Sequence, residues 1–467
     1  MAMTSVEDMN LYVLTANCAR TRIDVDLFAD HFFDPLSKAG RGFSAPELIV
    51  LSLQEIAPIA YSFLGGSYLI PYFDAFNQAV KQATAKQYNE SYENVVKDHT
   101  GMTGLMVFAR SDVTDRISWI ETAHVGFGVQ EMGNKGAVGA RLGYVVDDHS
   151  AKTVDLTFVA AHLAPMEDAL AQRNLDWQSI VERLVFSQGD TSSQNLGSGD
   201  SDRDRDTDEN AALLGEHRSS GQSQSTRGNL FASNSYIFLA GDLNYRTSDV
   251  EPSKTDKLRF PRRLVNRDSS SHYSHLLKED QLMREMRQGK SFQGLSEAPI
   301  DFPPTYKYSD AARQAARLGV DSGDAEWKWS SHRWPSWCDR ILFLDTPYWT
   351  GQDASDRRVK PHTYDALPLF PQSDHRPVAL AVSVPLSLSL HHISSTGSDH
   401  MDSEHRRVAP FSIDPHWRSR RESARRKEIA VGFLAYLGLT WEGNGLLLAS
   451  MIGIIGAWTV LRSLLDV

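Results

Sequence analysis

Residues 236–246 read Tyr-Ile-Phe-Leu-Ala-Gly-Asp-Leu-Asn-Tyr-Arg, an uncharged apolar run that gives way at once to Gly241, Asp242 and Asn244. A short run of this kind, rich in aromatic and branched side chains, predicts a buried strand. The polar residues behind it then stand where the strand ends and can face a cleft. Working outward, similar runs occur at 11–16, 48–53, 105–109, 154–161, 341–344 and 378–384, with helix-like stretches at 72–88 and 166–186. Buried strands interspersed with helices predict an α/β protein, a four-layer sandwich of two stacked mixed sheets with helices outside.

Most of these runs carry polar residues at one end. Asn17 follows 11–16, Gln54 and Glu55 follow 48–53, and His162 follows 158–161. Asp339 and Arg340 precede 341–344, while Asp374 and His375 precede 378–384. A lone acid after a strand is usually a helix cap or turn residue, and a lone histidine is usually structural. Six such places on one inferred edge are another matter. Carboxylates hold magnesium, amides and histidines donate to phosphate oxygens, and one carboxylate can take a proton from water.

The strings containing these residues are Gln54-Glu55, Gly-Asn-Lys-Gly-Ala-Val at 133–138, His-Leu-Ala at 162–164 and Gly-Asp-Leu-Asn-Tyr-Arg at 241–246. They continue with Phe-Pro-Pro-Thr-Tyr-Lys-Tyr at 302–308, Trp-Pro-Ser-Trp-Cys-Asp-Arg-Ile-Leu at 334–342 and Ser-Asp-His-Arg-Pro-Val at 373–378. Together they closely resemble the inositol polyphosphate 5-phosphatases of the wider endonuclease/exonuclease/phosphatase fold. The likeness covers roughly 11–384. The strings at 241–246, 302–308 and 337–342 are the specific ones; Ser-Asp-His and Gln-Glu are shared more widely across the fold.

The resemblance implies that Glu55 and Asn17 hold Mg2+ with Asp374 nearby, and that Asp242 orients and deprotonates the attacking water. Asn244 and His162 would contact the scissile phosphate, and Asp339 would pair with a cationic His375. Tyr306, Lys307 and Arg333 match places that bind a neighbouring 4-phosphate, and Asn134 and Lys135 lie in a loop suited to an anionic headgroup. Where many relatives have a lysine two residues before Arg333, this chain has Ser331, with Lys328 as the nearest substitute.

The 467 residues comprise 48 basic and 59 acidic side chains, a net charge of −11 that argues against nucleic acid held through phosphate contacts. Hydrophobic residues at 41% and charged residues at 23% are near globular averages, excluding a wholly disordered or multi-span chain. Two cysteines, Cys18 and Cys338, are too few for a disulfide framework. Met1–Asn10 has no apolar core of the secretory-signal type. The expected divisions are a catalytic domain at 11–385 with a disordered acidic insertion at 187–229, a linker at 386–428 ending in a basic run, and a membrane anchor at 429–465.

The anchor rests on 445–461, a run of 17 residues without a charge. At about 1.5 Å per residue it spans about 26 Å, close to the thin bilayer of the endoplasmic reticulum. Upstream, 418–427 carries six basic residues and one acid, in keeping with a cytosolic flank. Ala449, Gly453 and Ala457 fall four apart, a stripe through which anchors could weakly self-associate. The expectation is therefore a tail-anchored phosphatidylinositol 4,5-bisphosphate 5-phosphatase on the cytosolic face of an intracellular membrane. The competing readings are a same-fold phosphodiesterase such as a sphingomyelinase, and a non-catalytic phosphoinositide-binding scaffold.

Overall fold

The computed structural model describes residues 8–38, 43–147, 152–187, 228–232, 235–263, 266–319, 327–347, 358–386 and 409–465. Nearly all of the acidic insertion and the first part of the linker lie outside the described residues. In chain order the strands are β1 (Asp8–Asn17), β2 (Leu48–Gln54), β3 (Tyr92–Thr100), β4 (Thr103–Arg110), β5 (Ile117–Gly126) and β6 (Gly136–Asp147). They continue with β7 (Lys152–His162), β8 (Ser235–Asp242), β9 (Ser296–Glu297), β10 (Asp339–Phe343), β11 (Lys360–Ala366) and β12 (Val378–Pro385). Two six-stranded sheets result, ordered β11-β12-β1-β2-β4-β3 and β5-β6-β7-β8-β10-β9. Both are mixed: β1 with β2 and β7 with β8 run parallel, and their other neighbours antiparallel.

The period-2 alternation of strands assembles the layers. In β1, Leu11 and Val13 face the opposing sheet while Tyr12 and Leu14 face outward. In β8, Tyr236, Phe238 and Ala240 face inward and Ile237 and Leu239 outward. The outer face of the first sheet is covered by α1 (Val25–His31) and α3 (Ile70–Tyr88), through Phe28, Phe73 and Phe76. That of the second is covered by α4 (Leu170–Arg183), through Trp177 and Ile180. Each fully buried side chain of this size contributes about 1.5–3 kcal/mol. Every strand and both helices expected from the apolar runs are present, in the four expected layers.

At the β7–β8 seam the backbones approach so closely that a Cβ on Gly241 would lie 1.9 Å from the Ala161 carbonyl oxygen. Gly241→Ala is therefore expected to destabilise the protein by about 1–3 kcal/mol in a denaturant titration, through overpacking. The strand must move to admit the methyl, and Asp242 moves with it.

The C-terminal region differs from the expected division at residue 428. Trp417–Leu439 is one helix, called here the basic helix, so the basic run and the first apolar stretch share an element. The reason is docking on the catalytic unit. Gly432 packs so tightly on Phe63, in α2 (Ile59–Leu64), that a Cβ would lie 2.8 Å from Phe63 Cβ. Arg425 donates to the Phe63 carbonyl at 2.7 Å and the Leu64 carbonyl at 3.2 Å. At Thr440 the chain turns extended, and Gly443 N donates to Thr440 Oγ1 at 3.0 Å as the terminal helix Trp441–Leu465 begins. That helix is long and apolar enough to cross a membrane, and its apolar side chains are exposed.

Candidate active site

Register brings the strand ends together. In the first sheet Asn17 pairs with Gln54 across the parallel β1–β2 ladder. In the second, Asp242 has His162 beside it on the parallel side and Asp339 on the antiparallel side. The two sheets meet at this edge: Asn17 Nδ2 donates to Asp242 Oδ2 at 3.0 Å, and Ser52 Oγ donates to the Ala240 carbonyl at 2.8 Å. The loop before β12 supplies His375, whose Nε2 lies 3.9 Å from Asp242 Oδ2. His162 Nε2 lies 3.3 Å from the same oxygen.

Two of these residues have left-handed backbones rarely adopted outside glycine, Glu55 at φ 48° and Asn244 at φ 56°. Such conformations persist where the surroundings dictate them. The Glu55 carbonyl accepts from Arg20 N at 2.7 Å, and its carboxylate pairs with Arg20 Nε at 2.8 Å. The Asn244 carboxamide is held at both ends, donating to the Leu163 carbonyl at 3.1 Å and accepting from Arg246 Nη2 at 2.6 Å.

Charge at this edge is sharply partitioned. Burial alone would raise the Asp242 carboxyl, but His375, His162 and Lys135 outweigh it and hold the group well below the usual carboxylate range. Burial likewise opposes a charged His375, yet Asp339 and Asp242 prevail and bring it up to about 9. Asp339 Oδ2 takes His375 Nδ1 at 2.8 Å and Thr305 Oγ1 at 2.7 Å, while burial pushes its own carboxyl upward. His162 is lowered by burial and by Lys135, so it is neutral near pH 7. Lys135 Nζ contacts its Nε2 and is itself lowered, chiefly by burial.

Around this centre lie the residues expected to meet substrate. Tyr306 packs on His375 with ring centroids 4.5 Å apart, and Arg246 sits 4.5 Å over the opposite partner of that stack, the Tyr306 ring. Lys307 Nζ is 2.6 Å from Asp374 Oδ2, whose other oxygen lies 4.0 Å from His375 Nε2. Arg333 is paired with Glu251 at 2.5 Å and lies 3.7 Å from Glu167. Asn134 Oδ1 is buried without a hydrogen-bond partner among the described residues.

Asp242, Asp339 and His375 bring ligand-type atoms within 4.8 Å of one another. A cationic imidazole has no free lone pair, so His375 is no ligand there; its Nδ1 is hydrogen-bonded to Asp339 and its Nε2 faces Asp242 across 3.9 Å. The oxygen donors at the same edge, the Asn17 amide and the Glu55 and Asp242 carboxylates, suit a hard divalent cation. Neither cysteine is a nucleophile in waiting, because both are buried and burial pushes both thiols up.

The sequence reading passed over Thr305, which fixes Asp339, Arg246, which fixes Asn244, and Ser373, whose Oγ donates to the Asn17 carbonyl at 2.7 Å. All three lie inside quoted strings. Nothing in their own residue types distinguishes them from turn residues.

The chain matches the model of the endonuclease/exonuclease/phosphatase family 2 over residues 14–381. It is 34% identical to the type II inositol polyphosphate 5-phosphatase 15 of Arabidopsis thaliana, over 61% of this chain and 24% of that protein. It is 25% identical to a polyphosphatidylinositol phosphatase of Saccharomyces cerevisiae, over 81% of this chain and 27% of that one. The chain thus spans about a quarter of the length of these relatives. Among solved structures, the inositol polyphosphate 5-phosphatase domain of SpSynaptojanin, with inositol (1,4)-bisphosphate and calcium, shares the fold at TM-score 0.54 and 22% identity, over 81% of this chain and 84% of that one.

Proposed function

Since the chain belongs to the endonuclease/exonuclease/phosphatase family, we propose that it is a magnesium-dependent phosphoinositide 5-phosphatase that converts phosphatidylinositol 4,5-bisphosphate into the 4-phosphate. The observation that carries this reading is the convergence of Asn17, His162 and His375 on Asp242 at the meeting edge of the two sheets. The 5-phosphatase names of the relatives support the reaction class. The exposed terminal helix supports a lipid substrate, with the enzyme on the cytosolic face of an intracellular membrane; the short charge-free run favours the endoplasmic reticulum.

Asn17 and Glu55 would hold the magnesium ion, with Asp374 nearby. When bound, such an ion supplies Lewis-acid stabilisation of charge on the phosphoryl oxygens. The protein's own groups act by placement. Asp242, ionised throughout the neutral range, accepts a hydrogen bond from the attacking water and aligns it. A carboxyl held so low is a weak base, but a loose phosphoryl-transfer transition state asks more for alignment than for early proton removal. The His375 imidazolium faces the charge that builds on the phosphate, and Asp339 fixes its orientation through Nδ1. His162 and Asn244 border the same phosphate, and with both thiols silent the water attacks directly, without a phosphoenzyme.

Lys307, Arg333 and Tyr306 would bind the 4-phosphate, and Lys135 and Asn134 the headgroup. Lys307→Ala is expected to raise KM for the 4,5-bisphosphate about tenfold or more, the worth of one charge-assisted hydrogen bond, with kcat little changed. The deciding experiment is phosphate release from a lipid panel by the full chain in mixed micelles. Truncation after residue 428 would cut the basic helix. Release from the 4,5-bisphosphate with the 4-phosphate as product is expected. Release of phosphocholine from sphingomyelin, or a trapped phosphoenzyme, would refute it.

A further inference from the structure

A second cationic cavity, of about 660 Å³, lies between the catalytic unit and the basic helix. Its wall includes Arg183 and Glu131 on one side and Arg420, Arg421, Arg425 and Glu428 on the other. The four guanidinium groups face two carboxylates of the wall and a third beside it, Asp414, which takes Arg420 Nη1 at 2.8 Å. Glu131 is shared between Arg183, at 3.1 Å, and Arg420. Glu428 is taken by Arg425 at 3.1 Å and by the Gly133 amide at 2.7 Å. The Arg421 side chain has no hydrogen bond or ion pair among the described residues. Asp98, the other acid acting on Arg421, is held by His124 Nε2 at 2.8 Å.

The arginines therefore outnumber the carboxylates they engage by one, and one guanidinium fork is unengaged. Planar forks grip phosphate oxygens through paired hydrogen bonds, and a phosphate monoester presents three unesterified oxygens to them where a diester presents two. We propose that this cavity binds a phosphate monoester group at a site distinct from the one at Asp242. The source is either a lipid headgroup or a soluble phosphate ester. Both reach the same atoms.

The occupant would bear on the catalytic edge. Glu131 and Gly133 belong to the segment between β5 and β6 that ends at Lys135, and Lys135 contacts His162. Drawing Arg183 and Arg420 toward a phosphate loosens their hold on Glu131, and Glu428 alone then ties that segment to the basic helix.

The test uses the full chain in phosphatidylcholine nanodiscs, with thermal unfolding followed as glycerol 3-phosphate is added or as phosphatidic acid or phosphatidylserine is built into the disc. The monoesters are expected to raise the unfolding temperature. Arg421→Gln, which breaks no contact, should need about tenfold more ligand for the same rise. A response to glycerol 3-phosphate assigns a soluble ester, and a response to phosphatidic acid alone assigns a headgroup; both support the site. Asp242→Asn should respond as wild type does, so the cavity stands or falls separately from the hydrolase reading. No response to either monoester would overturn the proposal. So would an equal response to phosphatidylserine, or a response kept by Arg421→Gln and lost in Lys307→Ala.

Discussion

Asp242→Asn is expected to lower the rate of phosphate release by about 10²-fold or more, the cost of misplacing the attacking water, while the protein stays folded. The substitution keeps the shape of the side chain but removes the charge around which His375, His162 and Lys135 are arranged. An amide cannot accept from Asn17 and from an attacking water with the same pair of oxygens. Because the wild-type carboxyl is held well below its usual range, the loss should be nearly constant from pH 5 to 8. A steep recovery of the variant at high pH would instead indicate that proton removal limits the reaction. The measurement is initial-rate phosphate release from a 4,5-bisphosphate lipid across that range.

Asp339→Asn should cost about 10²-fold at neutral pH and change the shape of the pH profile. In the wild type, His375 stays cationic until the pH approaches about 9, so activity should fall as pH rises through that value. Without the Asp339 carboxylate, burial acts with less opposition and the alkaline limb should move down toward neutrality. Stability follows the same sign. A histidine whose folded value of about 9 exceeds an unfolded value of about 6.5 contributes fully below the lower figure and progressively less as pH rises through the upper one. The variant should therefore lose stability at pH 6 and little at pH 10, measurable by denaturant titration at both. An unchanged alkaline limb would remove His375 from the catalytic role.

The central strands and the polar residues at their ends were legible because burial on both faces leaves an uninterrupted apolar run, and the first polar residue marks where the run stops. Edge strands write a weaker signal. β3 buries only Tyr92, Val96 and Thr100 and includes Glu93, Lys97 and Asp98, so nothing in it reads as a run. The continuity of the basic helix across residue 428 leaves no mark in the sequence for a related reason. Six basic residues in ten describe a solvated stretch, and what orders them is tertiary: Glu428 against Gly133, Gly432 against Phe63 and Arg425 against two carbonyls. In the site, Asp242, Asp339 and His375 were readable from position, whereas Thr305 and Arg246 act through partners far away in the chain or through a fold-back of two residues.

The hydrogen bonds that join the sheets, Asn17 to Asp242 and Ser52 to the Ala240 carbonyl, belong to neither sheet alone. Local opening usually begins in elements with few buried contacts, such as frayed ends and long loops. Here the donors and acceptors of the reacting centre are divided between two sheets that share one core, so separating them requires the core itself to part. Catalytic competence and global folding should then form a single cooperative unit, in which the strand-end amides exchange with solvent only as slowly as the whole domain unfolds.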